Sequence, residues 1–169
     1  MRLILVTFAL CFQPALGFTQ DLDDFFLSKS QENGTLYHVK EIELKTSEKS
    51  ELKVDYTYLR TEAADSVRVL LLLKSKSKKG KPNSVSLSFN DRKILWGDER
   101  IQLLYVDKEK KCWTTRIELS MSEVEFIELL KAGFYQIDWQ AETGNFNAIL
   151  PKKYREDYRE FAELLKYNN

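Results

Sequence analysis

The chain has 169 residues, and its 26 basic and 26 acidic side chains give a formal net charge of zero. Such a balance excludes a sequence-wide basic footprint, so we expect no nucleic-acid partner. One histidine and two cysteines are too few for a zinc site of the usual spacing. The six glycines are scattered and form no phosphate-binding loop. We therefore expect no metal and no cofactor.

The first 19 residues have the pattern of a secretory signal peptide. Arg2 gives a positive start, residues 3–12 are almost wholly apolar, and Ala15-Leu16-Gly17 places small residues at the spacing that a signal peptidase reads. The apolar run is about half of the ~20 residues that a membrane-spanning helix needs. We predict cleavage after Gly17 or Thr19 and an exported mature chain, periplasmic or secreted, without a transmembrane segment. Its net charge would be −1, because the lost segment contains one arginine and no acid.

Residues 20–34 are predicted to form an N-terminal arm, a loose segment or short helix that docks through Phe25-Phe26-Leu27. Residues 35–169 are predicted to be a single β-rich domain, because connections are short and no linker appears. Residues 35–45 indicate a strand whose parity slips near Lys40-Glu41, as a bulge would produce. Residues 52–58 alternate between apolar and polar side chains, which is typical of a strand with one solvated face.

Residues 66–74 are apolar on both parities, which predicts a central strand. The lysine-rich residues 74–83 contain Gly80 and Pro82 and predict a long hairpin loop. Alternating patterns then predict further strands at residues 85–89, 94–96, 101–106, 113–119, 135–139 and 146–150.

Two helices are predicted among these strands. Ser120 with Glu123 fits a capping box and Gly133 a helix stop, which predicts a helix over residues 121–131. Pro151 suits the first position of a helix over 151–167, whose apolar side chains form one stripe. The members of that stripe are Tyr154, Tyr158, Phe161 and Leu165. The fold class is therefore β-rich α+β: an antiparallel, strongly curved sheet or partly closed barrel of seven or more strands, with one internal helix and a C-terminal helix.

The sequence contains no catalytic constellation. His38 is the only histidine, so a serine or cysteine nucleophile would need it as the base, yet no nucleophile-elbow pattern occurs. Cys112 lies on a patterned strand and is predicted to be a buried small hydrophobe. The candidates for a carboxylate pair are chosen by their position in the sequence alone. They are Asp98, Glu99 and Glu118, whereas Asp138 lies on the solvated parity of its strand and is expected to face solvent.

The least ordinary feature is the lysine segment, which places five positive charges within eight residues. An anionic surface would attract such a segment at about 1 kcal/mol per lysine, and the alternative is a solvated loop tip. The five candidate contact residues are Lys74, Lys76, Lys78, Lys79 and Lys81. Trp96, beside a Gly-Asp turn, is predicted to lie at a rim where it could stack on a sugar, whereas Trp113 and Trp139 are predicted to be core.

These observations favour an exported, non-catalytic binding or accessory module. Its partner would be an envelope protein, an anionic surface or an apolar ligand. One alternative is a small hydrolase, which requires two carboxyl groups facing a cleft. The other is a barrel-type carrier of an apolar ligand, which requires a cavity inside the barrel.

Overall fold

The structure, a computed structural model, describes residues 24–32, 34–46, 50–61 and 66–167. The predicted signal peptide and the first residues of the predicted arm lie outside these ranges. The described residues form ten β-strands and two α-helices, with short 3-10 turns at Asp98–Arg100 and Lys152–Tyr154. The strands are β1 (Phe26–Gln31), β2 (Gly34–Thr46), β3 (Glu51–Arg60), β4 (Ser66–Ser75), β5 (Ser84–Phe89), β6 (Arg92–Gly97), β7 (Gln102–Glu109), β8 (Cys112–Ser122), β9 (Gln136–Ala141) and β10 (Gly144–Ile149). The helices are α1 (Glu123–Ala132) and α2 (Arg155–Tyr167).

The strands form one antiparallel sheet in the order β6, β5, β9, β10, β2, β3, β4, β8, β7. The remaining strand, β1, lies outside this order and pairs with β2. The sheet curls into a half-barrel, with α1 and α2 against its inner face. This architecture confirms the predicted fold class, including the internal and the C-terminal helix.

The periodicity of the sequence accounts for the strands. In β3 the side chains of Leu52, Val54 and Tyr56 alternate into the core and are fully buried. The predicted bulge in β2 is present, because the register with β3 shifts between Val39 and Ile42. β4 is a central strand, as predicted, since it pairs with both β3 and β8.

Aromatic rings fill the space between the sheet and the two helices. Phe126 of α1 packs against Tyr56 and Tyr58 of β3, and Tyr158 and Phe161 of α2 lie beside them. All five side chains are at most 1% exposed. The interior of the half-barrel is therefore a packed core.

Three local predictions need correction. The capping box lies at Ser122 and Glu125, two residues later than predicted, because β8 stays paired with β4 as far as Ser122. The arm contains the strand β1, which pairs with β2 and places Phe25 and Phe26 in the core. Residues 74–83 are not a hairpin loop, since β4 and β5 are not neighbours in the sheet. The predicted stop at Gly133 is confirmed by its left-handed backbone, with φ at 61°.

Two features of the topology position the candidate site. β2 pairs with β1 along Gly34–Val39 but with β10 only at Lys45 and Thr46. The sheet therefore has two halves, β1, β2, β3, β4, β8 and β7 on one side and β10, β9, β5 and β6 on the other. We call the junction of β2 with β10 the seam.

Candidate functional site

Two of the five lysines in the lysine segment bind other groups of the protein through their ammonium groups. Lys79 is buried, and its Nζ donates a hydrogen bond to the carbonyl of Thr143 at 2.9 Å. Lys81 Nζ lies 2.8 Å from the Asp98 carboxylate. The charges of these two lysines are therefore engaged within the fold, and their contact with an anionic surface stays a prediction.

The other three lysines of the segment lie in different environments. Lys74 Nζ lies 3.8 Å from a Glu51 carboxylate oxygen. Lys76 and Lys78 are exposed, and the Lys78 ammonium lies 5.5 Å from the centre of the Trp113 ring. Contact with an anionic surface stays a prediction for all five lysines, of which Lys76 and Lys78 are the two with exposed side chains.

Trp96 is not a rim residue. Its side chain is 1% exposed, and its indole Nε1 donates to the carbonyl of Ser120 on β8 at 2.7 Å. The ring points inward because it shares the buried parity of Ile94 in β6. The prediction that Cys112 is buried is also wrong, since this residue is exposed at the start of β8. Trp139 is fully buried, as predicted, and Trp113 is half-buried.

Asp98, Glu118 and Asp138 each contact a cation or an amide side chain. Asp98 pairs with Lys81, as described above, and Glu118 lies 3.2 Å from Arg68. Asp138 accepts a hydrogen bond from the Gln136 side chain at 2.7 Å. Glu99 is exposed in the turn that follows β6.

His38 and Asp55 lie on the sheet face opposite the core. His38 Nδ1 is 3.1 Å from the Thr57 hydroxyl. Asp55 is buried, although its position in the alternation predicted a solvated side chain. One carboxylate oxygen is 3.5 Å from Arg116 Nη2, and the other has no hydrogen-bond partner among the described residues. Burial raises the pKa of the Asp55 carboxyl, and the Arg116 guanidinium offsets only part of that rise.

The feature best suited to hold a ligand is a cleft of about 480 Å³ at the seam, which we call the seam cleft. Lys45 and Ile149, which are cross-strand partners in β2 and β10, both line it. The strands pair over only two residues there, so their side chains do not close the surface. Its complete lining is Lys45, Thr46, Phe134, Asn147, Ile149, Leu150, Pro151, Lys152 and Arg155.

Local backbone geometry brings residues from outside the sheet into the seam cleft. Gly133 ends α1 in the left-handed conformation, a conformation that glycine adopts without strain. Phe134 follows it and stays partly exposed, since the next residue, Tyr135, takes the buried position. Pro151 lies two residues after the end of β10 and precedes the 3-10 turn that leads to Arg155.

The seam cleft joins an apolar floor to a positive rim. Phe134, Ile149 and Pro151 contribute apolar surface, and no acid is among the lining residues. The cations are Lys45, Lys152 and Arg155. The Arg155 guanidinium lies 5.2 Å from the centre of the Phe134 ring, and its Nε is buried without a hydrogen-bond partner among the described residues.

Sequence reasoning missed the seam cleft because no local pattern encodes it. Lys45 lies 89 residues or more before Phe134, Ile149 and Arg155 in the chain, and it joins them only through the β2–β10 pairing. The one local signal was Phe134, an aromatic residue directly after a glycine helix stop, next to a second aromatic residue that takes the core position.

Within the described ranges, neither helix has the length and apolar character needed to cross a bilayer. In the same part of the chain, no three His, Cys, Asp or Glu side chains lie together as metal ligands would. Comparison with family models, with curated proteins and with solved structures found no match. What the protein binds has therefore to be inferred from its own residues.

Proposed function

We propose that this protein is an exported, non-catalytic binding module whose ligand site is the seam cleft. The observation that carries the proposal is one cleft of about 480 Å³ that combines an apolar floor with three cations and has no acid in its lining. Small-molecule sites typically occupy 300–1,000 Å³ and are mostly apolar, with a few placed polar groups. The seam cleft has these properties.

The packed interior supports a site at the seam over a carrier site inside the barrel. A carried apolar ligand would need the space between the sheet and the helices. Phe126, Tyr158 and Phe161 occupy that space and are fully buried. Emptying it would cost several kcal/mol, because each buried aromatic side chain stabilises the fold by roughly 1.5–3 kcal/mol.

The placement of the acids supports binding over hydrolysis. A carboxylate-based glycosidase needs two carboxyl groups ~5–10 Å apart across the substrate. Asp98 and Glu118 are each ion-paired, and Asp138 is bonded to an amide side chain. Asp55 has a raised pKa, but the neighbouring acid Glu41 is 2.6 Å from Lys53, and neither acid lines the seam cleft.

The N-terminal pattern supports export of the module. The positive start, the short apolar run and the small-residue site are the three parts of a secretory signal. Mass spectrometry of the exported fraction should find a mature chain that begins at Phe18 or Gln20. An intact Met1-Arg2 terminus in that fraction would contradict export by this signal.

Binding at the seam cleft can be tested with 1-anilinonaphthalene-8-sulfonate, a fluorescent anion with an aromatic body. We expect saturable binding of one dye per chain, and amide shifts in nitrogen-15 NMR spectra centred on Ile149. Ile149→Trp fills the cleft and should weaken dye binding at least tenfold. Leu95→Trp is the matched control, because Leu95 is 56% exposed on β6 and does not line the cleft. Absence of saturable binding, or equal losses in both variants, would overturn the proposal.

A further inference from the structure

We propose that the ligand of the seam cleft is a single-chain amphipathic carboxylate, with its aliphatic chain on the apolar floor and its carboxylate at Arg155. This inference rests on the proposed function and names the ligand class of the same site. Three steps lead to it: the charge of the rim, the geometry of Arg155 and the chemistry of the floor.

The rim carries uncompensated positive charge. Lys45, Lys152 and Arg155 line the cleft, and none of them forms an ion pair within the described part of the chain. Glu156 follows Arg155 directly but is exposed and does not line the cleft. An anion placed among the three cations is attracted by all of them, and the partly apolar surroundings strengthen that attraction relative to bulk water.

Arg155 is positioned to bind an anion through two oxygen atoms. The Phe134 ring lies 5.2 Å from the guanidinium carbon, a cation–π distance that holds the group at the edge of the floor. The guanidinium is a rigid fork of donors that matches the two oxygens of a carboxylate. In the described part of the chain no carboxylate occupies that fork.

The floor selects an aliphatic chain over a polar body. Phe134, Ile149, Leu150 and Pro151 provide no side-chain hydrogen-bond partner, so a sugar or a short polar peptide would lose hydrogen bonds to water without replacement. Each methylene buried on such a surface strengthens binding by about fourfold, from ~0.8 kcal/mol per group. Asn147 is the one amide in the lining.

Calorimetric titration with ten-carbon ligands that differ only in the head group tests the inference. Decanoate should bind at least tenfold more tightly than decanol, and decyltrimethylammonium should bind more weakly than either. Hexanoate should bind at least tenfold more weakly than decanoate, since four methylenes are missing. Decyl phosphate and vesicles containing anionic phospholipid distinguish a free carboxylate from a phosphate or lipid head group, and tighter binding of either than of decanoate would overturn the carboxylate.

Arg155→Gln should weaken decanoate at least tenfold and leave decanol unchanged. Lys153→Gln is the matched control, because Lys153 lies over the Tyr154 ring and does not line the cleft. If Arg155→Gln fails to fold by circular dichroism, the double variant Lys45→Gln/Lys152→Gln takes its place, because both lysines are exposed. Equal binding of decanol and decanoate, or full decanoate binding by Arg155→Gln, would overturn the carboxylate while leaving the seam cleft as a binding site. Failure of every ten-carbon ligand and of the dye would overturn both proposals.

Discussion

Phe161 fixes α2 to the rest of the fold, and its removal should be costly. Its ring centre lies 4.5 to 6.4 Å from those of Phe25, Phe26, Tyr37 and Phe126, and the side chain is fully buried. Truncating a buried phenylalanine to alanine typically costs 3–5 kcal/mol, from lost burial and from the cavity left behind. Rings from β1, β2 and α1 surround the site, so it cannot collapse easily, and we expect about 4 kcal/mol.

Urea unfolding followed by circular dichroism measures this loss. For a domain of this size the slope is about 2 kcal/mol per molar urea, so Phe161→Ala should lower the unfolding midpoint by about 2 M. Glu160→Ala is the control, because Glu160 is exposed on the same helix and its loss should change stability by less than about 0.5 kcal/mol. A midpoint for Phe161→Ala that equals the control value would refute the packing of α2.

Two further predictions concern buried polar groups. The hydroxyl of the buried Tyr158 is 3.0 Å from that of the buried Tyr135. Tyr158→Phe should therefore lower the free energy of unfolding by about 1 kcal/mol, whereas the surface control Glu160→Ala should change it by less than about half as much; equal losses in urea titrations would contradict this. Burial raises the pKa of Asp55 in the folded state, so the folded protein favours the protonated carboxyl. The stability that this preference contributes is complete below the unfolded pKa and is lost as the pH rises through the folded pKa. Asp55→Asn should thus exceed wild type in stability at pH 7 and lose that advantage towards pH 3, and a pH-independent difference would refute the assignment.

The sequence predicted the parts of the fold that depend on local patterns. Alternation identified β3 through Leu52 and Val54, and the slip of parity near Lys40 identified the bulge in β2. Gly133 marked the end of α1, because a left-handed residue is needed there. Each of these signals is carried by a few consecutive residues, so no knowledge of the strand order was needed.

Features set by strand order could not be predicted in this way. Trp96 is buried because β6 reaches the Ser120 carbonyl of β8, a contact that adjacent residues do not reveal. Asp55 is buried because Arg116, two strands away, approaches it on the outer face. The lysine segment was misread as a hairpin for the same reason, since its course follows from β5 pairing with β9. The seam cleft is the extreme case, because it exists only where the two halves of the sheet meet.

The short pairing of β2 with β10 affects how the sheet can deform. Two residue pairs join these strands, whereas every other ladder of the described sheet has at least five. Separation along this line therefore breaks the fewest inter-strand hydrogen bonds and leaves each half of the sheet intact. Lys45 and Ile149, which line the seam cleft, form one of these two pairs. Because the residues of both halves share one continuous core, side-chain packing rather than the backbone ladder holds the two halves together along this line.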